Sequence, residues 1–424
     1  MRDTEGRHEV LPDASVPPRG HAVQTRTLMV DLLVLALALG LAVLLRIELI
    51  PFKSVDYYSS LRPWYNTIKD EGFSAFGSGF SNYNPPYLYA LYAIARLLPD
   101  LPLLTAVKLP SMIADFICAT FVWLIVREAH PSRRVLPIVA GLAVLFSPTV
   151  FLNSAFWGQA DSQYTAAILA CVYFLMRRTP GVAVACFGIA LAFKLQAVFL
   201  APVILALAAR GIVPWKWLAT VPAALILALL PAWAAGRPFG DLLSVYADQA
   251  SQYELMTMNA PSVYALLPGA KRVFNLLYIP GVILGAAAAF SLFVIVAKGL
   301  RVPGQRQLVA LSLASMLVVP LFLPKMHERY FYPADVLSIA FAFLYPRFLV
   351  VPLFVLGASF AAYHPFLFGY DLAPLPVLTL VLLAATAIVL YFSIRQLYSG
   401  PTDMQAASKD NSGSAPVDPL EVPH

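Results

Sequence analysis

The stretch AFWGQADSQY, residues 155–164, puts a tryptophan, two glutamines and the carboxylate of Asp161 between two apolar runs, 135–152 and 163–176. Left unpartnered in hydrocarbon, each polar group would carry a heavy desolvation penalty. The stretch therefore marks a place where one apolar segment leaves a bilayer and the next returns. Composition extends this reading to the whole chain. Of its 424 residues, 60% are hydrophobic and only 12% charged, and the mean hydropathy is +0.73. That balance belongs to a polytopic membrane protein and not to a soluble domain. The net charge of +6 does not point to nucleic acid, because the Lys and Arg residues lie singly or in pairs between apolar runs and build no aromatic-interleaved basic face. Cys118, Cys171 and Cys186 lie in apolar stretches with neither metal-ligand nor disulfide spacing, and read as small core residues.

A spanning helix needs about 20 mainly apolar residues. On that measure the expected fold is all-α with about 12 transmembrane helices, at 28–49, 105–126, 135–152, 163–176, 181–194, 196–209, 218–234, 275–297, 307–323, 332–346, 348–363 and 373–394. Residues 1–27 and 396–424 are polar and read as disordered cytoplasmic tails flanking one membrane domain, 28–395. With both termini inside, basic residues such as Arg127, Arg133, Arg134, Arg177 and Arg178 fall in cytoplasmic loops, as the positive-inside rule asks. The segment Asn84–Leu98 is too short to cross and reads as a juxtamembrane helix within the long outer loop 50–104. Its Pro85–Pro86 pair fixes the approach to that helix.

That outer loop, by far the longest, carries Asp56, and long loops are uncommon unless they form a site. Four other polar clusters fall at the same membrane level: Trp157 with Gln159 and Asp161; Lys194 with Gln196; Asn259; and KMHERYFY, Lys325–Tyr332. Each has a plainer reading. Asp56 can be a solvated loop carboxylate, Lys194 a snorkelling side chain or the ion-pair partner of Asp161, His327 a core histidine, Glu328 and Arg329 a local pair, and Asn259 a helix cap. Taken together they put cations and carboxylates around one outward cavity, which packing alone does not require.

In order along the chain, DYY followed by W, YNPPY, FWGQADS, AFKLQAVFLAP, MTMNAPSVYALL and KMHERYFYPA resemble the GT-C glycosyltransferases that use polyprenyl-phosphate sugars. The similarity is greatest to bacterial relatives of the second mannosyltransferase of GPI-anchor assembly, and covers about Leu28–Leu344. After Asn259 the chain reads APSVY where the family pattern carries an Asn-and-aromatic sequence, a departure that bears on the acceptor. The resemblance implies an inverting, metal-independent hexosyl transfer, with mannose favoured, to an acceptor hydroxyl on a glycan, lipid or protein. No cofactor is implied beyond the lipid-linked donor. Asp56 matches the family's catalytic acid and would act as general base. Lys194, His327 and Arg329 would hold the departing phosphate, while Trp157, Gln159, Asp161, Tyr83, Tyr87, Asn259 and Glu328 would meet sugar or acceptor. The implied location is a bacterial plasma (inner) membrane with the site on the periplasmic or extracellular side; an endoplasmic reticulum membrane with a lumenal site is the other setting. The competing class is a secondary transporter, which would place these residues near the bilayer midplane. A non-enzymatic lipid carrier is a third.

Overall fold

Inside hydrocarbon only a helix or a closed barrel satisfies every backbone N–H and C=O, and the apolar runs of this chain fold as helices. The computed structural model describes residues 19–251, 254–267 and 274–399. The chain begins with α1 (Arg19–Leu49), α2 (Arg62–Glu71), α3 (Pro85–Leu97) and α4 (Leu103–Ala129). It continues through α5 (Val135–Leu145), α6 (Pro148–Phe151), α7 (Asp161–Met176), α8 (Pro180–Phe193) and α9 (Ala201–Ala209). Next come α10 (Thr220–Ala234), α11 (Phe239–Ser251), α12 (Phe274–Ala297) and α13 (Gln305–Phe322). The last three are α14 (Tyr332–Leu344), α15 (Val350–Phe368) and α16 (Leu375–Tyr398). Two strands of two residues each, β1 (Thr257–Met258) and β2 (Met326–His327), pair in parallel. Contacts divide the chain into residues 1–44, which hold most of α1, and residues 45–424.

Proline opens several helices. Pro85, Pro148, Pro180, Pro333 and Pro376 all sit in first turns, where a missing N–H costs nothing. Every expected span is helical over most of its length, but length separates them. Among the described residues seven helices are long and apolar enough to cross a membrane, or eight if α5 and the segment Pro148–Trp157, bent by 46°, count as one. The chain is thus a helical, membrane-embedded protein. The expected count of twelve is not reached on this measure: α7 has 16 residues and α14 has 13, and at about 1.5 Å per residue neither reaches the roughly 30 Å of a hydrocarbon core. The N-terminal tail also differs from expectation, since α1 starts at Arg19, inside it. Residues 1–18 and 400–424, the rest of the expected tails, lie outside the described residues.

Burial grades the helices. In α13, 83% of the apolar window is buried, against 22% in α12 and 11% in α10, so α13 forms the middle of the bundle and the other two offer apolar faces outward. α13 packs on α12, α14 and α16, and α7 packs on α4 and α8. One buried cluster of charge interrupts this core. Arg46 donates from Nε to Asp115 Oδ2 at 2.9 Å, with Nη2 at 2.8 Å, both side chains being fully buried. Ser154 Oγ donates to the same oxygen at 2.5 Å, and Tyr332 OH to Oδ1 at 3.3 Å. Arg46 Nη1 also donates to the Leu145 carbonyl at 3.2 Å. Two charges can be kept so deep only because each is paired and hydrogen-bonded. Neither residue stands out in the sequence as anything but an isolated charge within an apolar run.

Candidate functional site

Asp56 lies just before a π-helical turn, Tyr57–Leu61, that leads into α2. A second π-helical turn, Leu152–Trp157, ends at Gly158, whose φ of +87° suits the absence of a side chain. The two turns bring Asp56 against the WGQ motif. Trp157 Nε1 donates to Asp56 Oδ2 at 2.7 Å and Gln159 Nε2 donates to the same oxygen at 2.6 Å. Tyr83 OH donates to Gln159 Oε1 at 3.2 Å, which fixes the amide's orientation.

Lys194 follows α8 in an extended conformation that breaks the helix before a 3₁₀ turn, Leu195–Leu200. Its ammonium donates to Asp161 Oδ1 and lies 5.5–5.9 Å from the ring centroids of Tyr83, Tyr164 and Tyr330. Such a position adds a cation–π attraction to the ion pair. Asp161, the first residue of α7, also accepts from Asn153 Nδ2 at 3.0 Å, and Arg329 Nε approaches its Oδ2 at 3.7 Å. Arg329 Nη1 donates to Glu328 Oε1 at 3.1 Å, and its guanidinium lies over the Trp157 ring at 5.4 Å. The two strands carry His327 and Asn259 into one neighbourhood: Met258 pairs with His327 in the parallel register, and Asn259 bridges to it. Lys325 N–H donates to the Met256 carbonyl at 2.9 Å across the same junction.

These elements enclose a cavity of about 740 Å³. Asp56, Lys194, His327 and Arg329 all line it, although they come from three distant parts of the chain. Gln159 and Tyr83 line it too. Ser59, Ser60, Asn82, Gln196 and Lys325 add further polar groups to its wall, and Phe193, Met258, Val282 and Leu323 supply its apolar part. The cavity is therefore amphipathic: charged and hydrogen-bonding around Asp56 and the cations, oily toward α12.

Burial controls the protonation of its walls. Desolvation lowers the His327 imidazole below its ordinary value, helped by the Arg329 charge, so near neutral pH its uncharged form is favoured. Burial alone would raise Glu328, but the neighbouring His327 and the Arg329 charge outweigh it and hold the carboxyl below its ordinary value. Burial raises the Tyr83 phenol, which therefore stays a neutral donor.

Several expected positions differ from the geometry. Trp157 is fully buried, stacked on Phe366 at 4.8 Å, so its ring has no open face for a sugar; it serves Asp56 through its N–H. Asp161 is fully buried in the Lys194 ion pair and is neither wet nor open to a ligand. Tyr87 is 1% exposed, packs in the apolar cluster beneath α3 and donates to the Val107 carbonyl at 3.4 Å, away from the cavity wall. Asn259 caps no helix: its φ is +59° and Nδ2 donates to the Ala362 carbonyl at 2.5 Å. Glu328 is buried behind Arg329 and His327. His327 lines the cavity, as expected of a group that meets the donor.

Three participants were not foreseen. Lys108, Asn153 and Ser54 hold the two turns in place, and of these only Lys108 carries a sequence signal, a lone lysine in the apolar run LLTAVKLPSMIADF. Among the described residues no three His, Cys, Asp or Glu side chains gather as a metal-ligand group. Compared with known proteins, the chain matches no family model, and no curated protein is significantly similar to it in sequence.

Proposed function

We propose that this protein is a GT-C-like glycosyltransferase that moves a hexose from a polyprenyl-phosphate sugar to an acceptor hydroxyl, with inversion, on the non-cytoplasmic side of a membrane. Mannose is the hexose favoured by the motif resemblance. The observation that carries the reading is the shared cavity: one carboxylate, Asp56, faces the same space as the cations Lys194 and Arg329, and that space has an oily wall.

Each part has a use in such a reaction. The acceptor hydroxyl loses its proton to Asp56 as its oxygen attacks the anomeric carbon, and the bond from that carbon to the phosphate oxygen breaks with the electron pair leaving on phosphate. Trp157 and Gln159 both donate to Oδ2, so Oδ1 is the oxygen left to take the proton. Lys194 and Arg329, fixed by Asp161 and Glu328, would meet the charge that grows on the leaving phosphate without having to reorganise. His327, neutral, would contribute a hydrogen bond in place of a charge. Tyr278, Val282 and Leu323 would accept the first isoprene units.

The test is incubation of purified protein in lipid nanodiscs with a panel of radiolabelled polyprenyl-phosphate hexoses and a membrane extract as acceptor. Label should leave one of these donors with wild-type protein and remain on it with Asp56→Asn. If none is consumed and the protein instead carries free sugar into sealed proteoliposomes, the transporter reading replaces this one.

A further inference from the structure

Lys108 is a buried lysine in the second turn of α4, a helix long enough to cross a membrane. No carboxylate is among its described partners. Its ammonium donates to three backbone carbonyls instead: Ile50 at 2.9 Å, Phe52 at 2.7 Å and Phe156 at 2.7 Å. An ammonium has three N–H donors and no acceptor, so this arrangement satisfies it completely. The acceptors come from two separate segments. Phe52 stands four residues before Asp56, and Phe156 directly precedes Trp157.

The same two segments touch at further points. The rings of Phe52 and Phe156 stack with centroids 3.7 Å apart, and Ser54 Oγ donates to the Trp157 carbonyl at 3.0 Å. The stem of Lys108 passes beneath Gly158, where an added Cβ would come within 3.4 Å of Lys108 Cγ and 3.0 Å of Leu61 Cδ1. Above this junction lie the hydrogen bonds from Trp157 and Gln159 to Asp56. Those bonds join one segment to the other, so their lengths follow the offset between the two backbones. A slip of about 1 Å would carry both out of hydrogen-bond range.

We propose that Lys108 is the positioning residue of this centre: its buried ammonium clamps the backbone leading to Asp56 against the backbone leading to Trp157, and so sets the hydrogen bonds that orient the carboxylate. The clamp stands on geometry alone; its effect on turnover rests on the glycosyl-transfer reading above. A neutral side chain of similar length would fill the space yet leave three carbonyls without a donor. Apart from the bonds to Asp56 themselves, the Phe52–Phe156 stack and the Ser54 hydrogen bond would remain to hold the two segments.

The experiment has one readout for each part. Protein labelled with ¹⁵N at tryptophan is placed in nanodiscs, and the Trp157 indole N–H, assigned by its loss in Trp157→Phe, is followed by hydrogen exchange. Because Lys108→Met leaves all three carbonyls unbonded, Lys108→Gln, whose amide keeps two N–H donors, serves as the milder variant. Both should elute as folded, monodisperse protein and lose protection of that indole proton by about tenfold or more. With the labelled donor that wild-type protein consumes, turnover should fall by about 100-fold while the donor KM stays within about threefold. A core defect of no positional kind would lower the folded fraction instead and leave the exchange of the folded molecules unchanged. Wild-type indole protection in either folded variant overturns the clamp. A wild-type protein that consumes none of the donors overturns the transfer reading, and the exchange result then judges the clamp by itself.

Discussion

Replacing Asp56 by asparagine exchanges one carboxylate oxygen for an NH₂ and alters little else. In the structure Trp157 and Gln159 both donate to Oδ2, so the asparagine oxygen can occupy that position and keep both partners. The NH₂ then takes the place of Oδ1, the atom left to receive a proton, and a donor stands where an acceptor is required. General-base catalysis contributes about 10²–10⁴ in rate, equal to about 3–5 kcal/mol of barrier at about 1.4 kcal/mol per tenfold. Turnover at saturating donor should fall by that factor. The stability cost is smaller: two hydrogen bonds to a charged acceptor become neutral ones, a loss of about 1 kcal/mol. The assay is consumption of labelled donor by purified Asp56→Asn in nanodiscs, alongside its thermal unfolding. Retention of more than about a tenth of wild-type turnover would refute the base assignment, since it falls below the least that a general base supplies. Loss of turnover together with a collapse of the folded state would show that the carboxylate acts structurally.

Trp157→Phe removes one of Asp56's two donors while keeping an aromatic ring against Phe366; turnover should fall by about tenfold, the worth of roughly one charge-assisted hydrogen bond, and measurement of kcat alone suffices to check it. Arg46→Met leaves Asp115 buried without its cation and should destabilise the protein by about 3–5 kcal/mol, whereas Arg46→Met combined with Asp115→Leu should recover much of that loss, as read by denaturant or thermal unfolding of the three proteins. His327 and Glu328 both titrate below their ordinary values, so the folded state binds fewer protons than the unfolded one wherever they differ. Their contribution to stability is full at neutral pH, and the His327 part is lost as pH falls from 6.5 toward its folded value; Tm measured against pH should drop on this limb, and His327→Gln should flatten it.

How far the sequence alone reaches depends on the length of the signal. Runs such as Leu103–Ala129 and Leu375–Tyr398 are apolar over more than the width of a hydrocarbon core, and nothing competes with a helix there. The run 135–152 carries the same signal, but Ser147–Pro148 bends it, and residues 152–157 wind as a π-helical turn that no periodicity announces. The strand pair has two residues per strand, too few for an alternating pattern to register. At the site the common membrane level of the polar clusters groups Asp56, Lys194, His327 and Arg329, and these four line one cavity, because polar residues in an oily chain must converge to be solvated. What the spacing cannot give is which of them faces the cavity and which stands behind. Asp161 and Trp157 look like ligand groups in a string of letters, yet one is consumed by Lys194 and the other by Asp56. Lys108, Arg46 and Asp115 are single charges within apolar runs, and nothing near them in sequence names their partners, which lie about fifty or more positions away.

The most direct measurement is a structure of the protein in nanodiscs bound to a non-hydrolysable phosphonate analogue of a polyprenyl-phosphate hexose. The account predicts the phosphonate within hydrogen-bond reach of Lys194 and Arg329, the anomeric carbon facing Asp56, and the isoprenoid against Val282 and Leu323. Density for the headgroup anywhere outside this cavity, or within it but with Asp56 on the far side of the phosphonate from the sugar, would contradict it.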